Sequence, residues 1–370
     1  MKKIAAVRAL YCVAFQPISI NSFILQPTET STHLRLISRR SFSRSHSVSC
    51  IEMVKQIDNR VALLQFPVTE SKTTNLKVAS DYVKKAHDAG ARLAVLPEIF
   101  NSPYATKAFP EYAEVLPNVG DIILNDDEVD ISKDKEVALE RWGQSSKLLM
   151  ALAKQHSMYI VGGSIPEQRD DKIYNTSLII NPKGEVVGKH SKAHLFDIDV
   201  PGGIRFKESD TLTAGDGVTY FHVKGLGKVG VGICYDIRFP EYAMLLTQHY
   251  DCKILIYPGA FNLTTGPAHW ELLQRARAVD GQCYVLTASP ARTSPPNNDD
   301  NAESEKTKYP HYSAWGHSSA VSPWGEVIAT CDENPTVVVA DLDMTKVDEM
   351  RMAIPTMNQK RNDLYRLIEG

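Results

Sequence analysis

Residues 61–96 read VALLQFPVTESKTTNLKVASDYVKKAHDAGARLAVL, with two apolar runs on either side of a helical pattern. The runs at 61–65 and 93–96 are typical of buried strands. The apolar positions between them recur at helical spacing, ending near Gly90, and are Leu76, Ala79, Val83 and Ala86. This order predicts a βαβ unit within a layered α/β domain.

The alternation of strands and helices continues to the C-terminal end. Further strands are predicted at 159–162, 177–181, 185–188, 229–233, 253–257, 284–288, 318–322, 326–329 and 336–341, and helices at 144–155, 240–248, 267–280 and 345–352. The segments NPKG (181–184) and SPWG (322–325) each separate two strand runs and predict hairpins. A chain that combines βαβ units with hairpins indicates two mixed sheets covered by helices.

Length and composition restrict the class of protein. The chain has 370 residues, 43% of them hydrophobic, and its 41 Lys and Arg nearly balance 44 Asp and Glu. This composition is typical of a folded globular protein, and it lacks the basic excess of a nucleic-acid binder. The six cysteines are scattered without metal-ligand or disulfide spacing, and no apolar run is long enough to span a bilayer. We therefore expect a small-molecule partner and no metal, nucleic acid or membrane.

The N-terminal segment differs in composition from the rest. Residues 1–52 hold seven Lys or Arg and two Glu, and the stretch RRSFSRS (39–45) is rich in Arg and Ser. This pattern is typical of an organelle transit peptide, although a basic tail without an address is the alternative. We predict a leader over 1–55 that directs the chain to the mitochondrion, or alternatively to a plastid. An internal start at Met53 would give a cytoplasmic form.

The remaining chain is interpreted as one domain over 58–367 with two surface insertions. Residues 121–135 are acidic and show no long helical face, and residues 294–308 (SPPNNDDNAESEKTK) are polar and rich in Pro. Both are predicted to be surface loops.

Cys234 is the first candidate for chemistry. The segment KVGVGICYDIRFPE (228–241) runs from an apolar strand through this cysteine into a helix start. A thiol at such a turn lies at the open end of a sheet, near backbone N–H groups that can stabilise an oxyanion. The alternative is a buried cysteine that only packs, which is how we interpret Cys252, Cys283 and Cys331.

A cysteine nucleophile needs a base or a positive neighbour, because a free thiol has a pKa near 8.5. Five histidines of the folded part are candidates, and the sequence favours none of them: His190, His194, His269, His311 and His317. A carboxylate candidate is better placed, with a solvated loop glutamate as the alternative, whereas an isolated lysine is more often an exposed cation. Glu98 directly follows the strand and proline at 93–97, and Lys192 follows a predicted hairpin.

Three blocks resemble the signatures of one family: Leu96-Pro97-Glu98, KAHLFD (192–197) and GICYD (232–236). In this order they resemble the nitrilase superfamily of carbon–nitrogen hydrolases, over nearly all of 61–367. Other segments are similar to its omega-amidase branch, namely FNSPY (100–104), HLFDIDVP (194–201), FKES (206–209), YPGAFNLTTGPAHW (257–270) and AWGHS (314–318).

The resemblance implies a four-layer α-β-β-α sandwich, a homodimer and hydrolysis without a cofactor. It implies that Cys234 attacks the amide carbon, Glu98 is the general base, and Lys192 with the backbone N–H of Tyr235 holds the oxyanion. Glu208 resembles the second glutamate of the family, which positions the lysine. The substrates implied are α-ketoglutaramate and α-ketosuccinamate.

The carboxylate of such a substrate needs its own contacts. Arg238 could supply a guanidinium fork and Tyr104 a hydroxyl. Arg238 could instead pair with Asp236 or Glu241 as a structural tie. Two other functions stay open on sequence grounds, a related amidase for deaminated glutathione or an N-carbamoyl amine, and a catalytically silent dimeric scaffold.

Overall fold

The computed structural model describes residues 59–123, 142–199, 205–294 and 307–370. The chain divides into two units, 1–54 and 55–370, and all described residues belong to the second. The predicted leader and most of both predicted insertions therefore lie outside the described residues. Their interpretation stays a prediction.

Fifteen strands lie within the described ranges. They are β1 (Arg60–Gln65), β2 (Leu93–Val95), β3 (Tyr159–Val161), β4 (Ile165–Arg169), β5 (Lys172–Ile180), β6 (Val186–Ser191), β7 (Asp197–Asp199), β8 (Arg205–Lys207), β9 (Thr219–Val223), β10 (Gly227–Val231), β11 (Ile254–Pro258), β12 (Tyr284–Ala288), β13 (Ser319–Val321), β14 (Val327–Thr330) and β15 (Thr336–Asp341).

Six α-helices accompany these strands in the same ranges. They are α1 (Lys72–Asp88), α2 (Phe109–Tyr112), α3 (Gln144–Gln155), α4 (Pro240–Met244), α5 (Gly266–Gly281) and α6 (Thr345–Ala353). A π-helical turn, Leu245–His249, continues α4. The longer helices agree with the predicted ones, and none of those described is long and apolar enough to cross a membrane.

Two mixed sheets form the centre of the domain. The first has the order β15-β1-β2-β3-β5-β4, with β6 paired to β5, and the second has the order β14-β13-β12-β11-β10-β9. The neighbours β1, β2 and β3 are parallel, as are β10, β11 and β12. The predicted βαβ unit and both hairpins are confirmed.

The core consists of three apolar layers, because each central strand is buried on both faces. Val61 and Leu63 of β1 pack between the sheets with Val231 and Ile256, whereas Leu64 faces the side of α1 and α3. On the outer face of the second sheet, Leu255, Val285 and other strand residues pack against Trp270 and Ala278 of α5. This is the four-layer α-β-β-α arrangement.

Some strands differ from the prediction. The strands β4, β7, β8 and β9 were not predicted, and β5 begins five residues before the predicted start at 177. These segments hold charged or polar residues such as Glu167 and His222, which hide the alternation that strands usually show. The predicted strand at 229–233 ends at Val231, so Gly232 and Ile233 already belong to the turn that carries Cys234.

Candidate active site

Three of the predicted residues follow strands of the two central sheets, and Glu208 follows a strand of the separate β7-β8 pair. Glu98 comes three residues after β2, Lys192 directly follows β6, and Cys234 comes three residues after β10. Glu208 directly follows the short strand β8. The carboxyl ends of neighbouring parallel strands meet at one edge of a sheet, where α/β proteins place their ligands.

Cys234 occupies a sharp turn from strand to helix. It begins a 3₁₀ helix, Cys234–Arg238, and has a φ of 45°, which is rare for a residue with a side chain. A Cβ atom at Gly232 would lie 2.6 Å from the ring of Tyr257, so this turn requires glycine there. The predicted presentation of the thiol at a strand-to-helix turn is confirmed.

Glu98, Lys192 and Glu208 form a buried triad of charges. Nζ of Lys192 lies 2.9 Å from Oε1 of Glu98 and 3.0 Å from Oε1 of Glu208, and all three side chains are fully buried. Oε2 of Glu208 accepts a hydrogen bond of 2.7 Å from the backbone N–H of Phe196. Two carboxylates therefore fix the position of Lys192. One of them is Glu208, the residue that the family resemblance implies positions this lysine.

Two further side chains hold the carboxylate of Glu98. Oε1 accepts a hydrogen bond of 2.9 Å from Nδ2 of Asn175 and one of 3.3 Å from the hydroxyl of Tyr104, which also donates to Glu208 over 2.7 Å. Oε2 has no partner of good hydrogen-bond geometry among the described residues. One oxygen of Glu98 is thus fixed and the other is available to a proton donor.

The thiol of Cys234 is coupled to this carboxylate. Burial, followed by the charge of Glu98, raises the pKa of Cys234 well above its ordinary value, while Lys192 and the N–H of Ala260 oppose the shift. Burial also raises the pKa of Glu98, and Lys192 opposes it. The thiol is therefore protonated at neutral pH and needs a base in order to react.

Lys192 stays charged in spite of its burial. Burial alone would lower the pKa of this lysine, but the carboxylates of Glu208 and Glu98 raise it well above its ordinary value. The ammonium is thus a permanent cation near the thiol. Such a group can stabilise negative charge on an oxygen atom that forms during a reaction.

Backbone N–H groups complete the surroundings of the thiol. The N–H of Ala260, just after β11, donates to Sγ of Cys234 over 3.4 Å. Tyr235 is the second residue of the 3₁₀ helix, a position whose N–H has no acceptor within the helix. This N–H remains the predicted backbone donor to an oxyanion.

The histidines do not activate the thiol. His190 and His194 both bond the buried carboxylate of Asp236, at 3.2 Å and 2.8 Å. Asp236 also accepts a hydrogen bond of 2.9 Å from the N–H of Ile233, next to the cysteine. Among the described residues, no histidine forms a hydrogen bond with Cys234, which leaves Glu98 as the candidate base.

Arg238 lies beside the thiol and has no carboxylate partner among the described residues. Its guanidinium contacts Nδ1 of His269 at 3.2 Å and lies over the ring of Phe261, 4.7 Å from the centroid. Within the described ranges it forms no salt bridge, so the suggested tie to Asp236 or Glu241 is wrong. Arg238 and Cys234 line the same small cavity.

A larger cavity of about 750 Å³ lies next to this one. Glu98 and Tyr104 line it, and Tyr312 lines both cavities.

In the part of the chain that the structure describes, no three His, Cys, Asp or Glu side chains are grouped as metal ligands.

Sequence reasoning missed Asn175, Tyr312 and the contact made by Ala260. Asn175 gave no distinct signal, because it stands beside the polar residues Thr176 and Ser177 in the segment IYNTSLII (173–180), although the structure buries it fully. The other two gave none, because a backbone N–H has no sequence signature and Tyr312 is distant in the chain. For Tyr104, the structure shows a hydroxyl that bonds two glutamates, and substrate contact stays a prediction.

Comparison with known proteins agrees with this geometry. The family model for carbon-nitrogen hydrolase matches residues 60–352. Omega-amidase NIT2 of Xenopus tropicalis is 48% identical over 310 residues, which cover 84% of this chain and 98% of that protein. The human omega-amidase NIT2 is 46% identical over 306 residues, 83% of this chain and 96% of that protein.

A solved structure is also similar. Nit3 of Saccharomyces cerevisiae, described as a member of branch 10 of the nitrilase superfamily, is 37% identical with a TM-score of 0.66. The match covers 82% of this chain and 96% of Nit3.

Proposed function

Because this chain belongs to the carbon–nitrogen hydrolase family, we propose that its buried Cys234, Glu98 and Lys192 hydrolyse the terminal amide of a small ω-amide, the reaction of an omega-amidase. The observation that carries the proposal is the buried thiol coupled to a buried carboxylate, whose Oε2 has no hydrogen-bond partner of good geometry among the described residues. The family comparison supports the same reaction, because relatives at 46% and 48% identity are omega-amidases.

Acylation uses each of these groups once. Sγ of Cys234 attacks the amide carbon while Oε2 of Glu98 takes the thiol proton. The carbonyl oxygen becomes an oxyanion held by Nζ of Lys192 and the N–H of Tyr235. When this intermediate collapses, the C–N bond breaks and Glu98 passes its proton to the leaving nitrogen. Ammonia departs, and the acyl group remains bound to Sγ of Cys234 as a thioester.

Hydrolysis of the thioester reverses the roles. Glu98 takes a proton from water, the resulting hydroxide attacks the carbonyl carbon, and the same donors hold the second oxyanion. The C–S bond then breaks, the proton returns to sulfur, and a carboxylic acid is released. The fixed Oε1 keeps Glu98 oriented through both steps, since Asn175, Tyr104 and Lys192 all bond that oxygen.

The substrates that we propose are α-ketoglutaramate and α-ketosuccinamate. Each carries a free carboxylate, and Arg238 lines the cavity of the nucleophile with a guanidinium that forms no salt bridge within the described ranges. This cation favours an acidic amide over a neutral one. It gives no comparable reason to choose an N-carbamoyl amine.

The experiment is a panel of ω-amides and neutral amides, scored by ammonia release with the purified full-length chain. We expect α-ketoglutaramate and α-ketosuccinamate to be the best substrates, and Cys234→Ala and Glu98→Gln to be inactive while folded. Undiminished release by Cys234→Ala would reject the mechanism. Inactivity of the wild type on every amide would instead favour the silent scaffold.

We further propose that the protein is a homodimer. Apolar side chains exposed in the single chain support this, including Leu272 of α5 and Met352 of α6. Size-exclusion chromatography with light scattering gives the molar mass of the protein in solution. A mass of one chain at all concentrations would contradict the dimer.

For the leader we propose import into mitochondria. Its excess of arginine over acidic residues supports this address. Imaging of a fluorescent fusion to residues 1–60 distinguishes mitochondrion, plastid and cytoplasm, and a diffuse cytoplasmic signal would contradict import.

A further inference from the structure

Tyr312 lies close to the nucleophile, but the proposed mechanism gives it no role. Its hydroxyl donates a hydrogen bond to the carbonyl oxygen of Ala260, and its ring lies 4.7 Å from the ring of Tyr104, centroid to centroid. It also lines the cavities of both Cys234 and Glu98. This side chain therefore lines the cavities of the reacting groups and also contacts Ala260, two residues after β11.

Ala260 is held on both of its backbone polar groups. Its N–H donates to Sγ of Cys234 over 3.4 Å, and its carbonyl accepts from Tyr312. The preceding residue is anchored as well, because the N–H of Gly259 donates to the carbonyl of Ala288 in β12 over 2.8 Å. Two hydrogen bonds thus fix the direction of the Ala260 N–H, the one from the N–H of Gly259 to Ala288 and the one from Tyr312 to the carbonyl of Ala260.

We propose that Tyr312 is a positioning residue whose hydroxyl holds Ala260 so that its N–H remains directed at Sγ of Cys234. A hydrogen bond to a thiolate is stronger than one to a thiol, because the acceptor is charged. The N–H therefore stabilises the sulfur most when Glu98 removes the proton. The inference rests on the nucleophilic role of Cys234 proposed above, and it does not depend on which amide is hydrolysed.

The hydroxyl of Tyr312 remains a donor under ordinary conditions. Burial raises the pKa of Tyr312 well above its ordinary value, and the nearby acidic groups Cys234 and Glu98 oppose its ionisation further when they are charged. The neutral phenol can therefore donate to Ala260 throughout the pH range in which the enzyme is assayed. The proposed role needs no change in its charge.

The test is the rate at which Cys234 is alkylated by iodoacetamide as a function of pH. The full-length chain is used, and the Cys234 peptide is followed by mass spectrometry to separate it from the other cysteines. In Tyr312→Phe the ring remains and the hydroxyl is lost. We expect alkylation to be about two- to twelvefold slower at neutral pH, which corresponds to the free energy that one hydrogen bond contributes. We also expect the curve of alkylation rate against pH to be displaced to higher pH.

Tyr309→Phe is the matched control. Tyr309 lines the larger cavity too, but its hydroxyl bonds Oε2 of Glu111 at 2.5 Å. We expect its alkylation profile to coincide with that of the wild type. A Tyr312→Phe profile that coincides with the wild type would overturn the proposal, as would an equal slowing in both variants, which indicates general loosening.

Hydrogen exchange at the amide of Ala260 gives a second readout. We expect faster exchange in Tyr312→Phe than in the wild type, and unchanged exchange would overturn the proposal even if the variant is less stable. The proposed function fails in a different way. In that case Cys234 of the wild type itself resists alkylation, and both proposals are rejected together.

Discussion

Nζ of Lys192 lies 2.9 Å from Oε1 of Glu98, and neither side chain is exposed to solvent. Because Nζ also lies 3.0 Å from Glu208, one ammonium serves two buried carboxylates. The three groups together carry a net negative charge when all are ionised. This excess keeps Lys192 protonated and leaves Glu98 able to accept a proton.

Lys192→Met removes the cation and is expected to cost both stability and activity. Two buried carboxylates would face each other unpaired, which destabilises a protein by about 3–5 kcal/mol. Loss of an oxyanion donor lowers kcat by roughly 100- to 1000-fold. Urea denaturation measures the first effect and ammonia release the second.

Lys253→Met is the control for Lys192. Lys253 pairs with Asp348 at the surface, where such a pair contributes about 1 kcal/mol or less. We expect this variant to keep its rate. A Lys192→Met enzyme within tenfold of the wild-type rate would contradict the role of the ammonium.

The central strands could be predicted because burial on both faces makes them continuous apolar runs. The strands β1, β11 and β12 are of this kind, as their buried residues show. The strand β4 could not be predicted, because its sequence IPEQR places Glu167 and Arg169 where an apolar residue would be the signal. Their mutual salt bridge of 2.7 Å joins two residues on the same face of β4.

The same reasoning separates the predicted and the missed parts of the site. Glu98 and Cys234 each follow a strand closely, so local sequence was sufficient to select them as candidates. Glu208 follows a strand of three residues and was identified by family resemblance. Its hydrogen bond from Tyr104 joins residues 104 positions apart, and no local pattern encodes such a contact.

The pH dependence of the reaction is expected to follow the ionisation of Glu98. Burial raises the pKa of this carboxyl, and the base is active only when ionised. Activity is therefore lost as the pH falls through a value above about 4.3, the ordinary pKa of glutamate. Measurement of kcat/KM for α-ketoglutaramate across the acidic range gives this midpoint, and one at or below the ordinary value would contradict the assignment.

Arg238→Leu is expected to weaken binding of acidic amides. A hydrogen bond to a charged group contributes about 1.5–3 kcal/mol, so KM for α-ketoglutaramate should rise by roughly one to two orders of magnitude with a smaller change in kcat. A neutral amide of similar length should show no such rise in KM. Steady-state kinetics on both amides measure the difference.

Arg275→Leu on α5 is the matched control, because this arginine forms an exposed pair with Glu271. We expect its KM values to equal those of the wild type. If Arg238→Leu raised KM equally for the acidic and the neutral amide, the guanidinium would not be the carboxylate contact.

Asp236→Asn is expected to loosen the turn that carries Cys234. Burial opposes ionisation of Asp236, but hydrogen bonds from His190 and His194 and from the N–H of Ile233 lower its pKa below the ordinary value. A group whose pKa is lowered by folding stabilises the protein above its unfolded pKa, about 3.9, and this contribution is lost as the pH falls towards the folded value. The free energy of unfolding of the wild type should therefore decline on acidification, and that of Asp236→Asn should start lower at neutral pH and decline less.

Denaturation curves at a series of pH values measure this difference, with Asp81→Asn as the control, since Asp81 is exposed on α1 and pairs with Lys77 at the surface. The carboxylate of Asp236 is shared by four donors, the N–H of Ile233, the ring of His190, and the ring and backbone N–H of His194. An asparagine there directs an amide N–H₂ or a neutral oxygen at them, so the N–H of Ile233 loses a charged acceptor. Because Ile233 directly precedes the nucleophile, kcat should fall together with stability. An Asp236→Asn variant with wild-type kcat and an unchanged pH dependence of unfolding would show that the turn is held by its backbone alone.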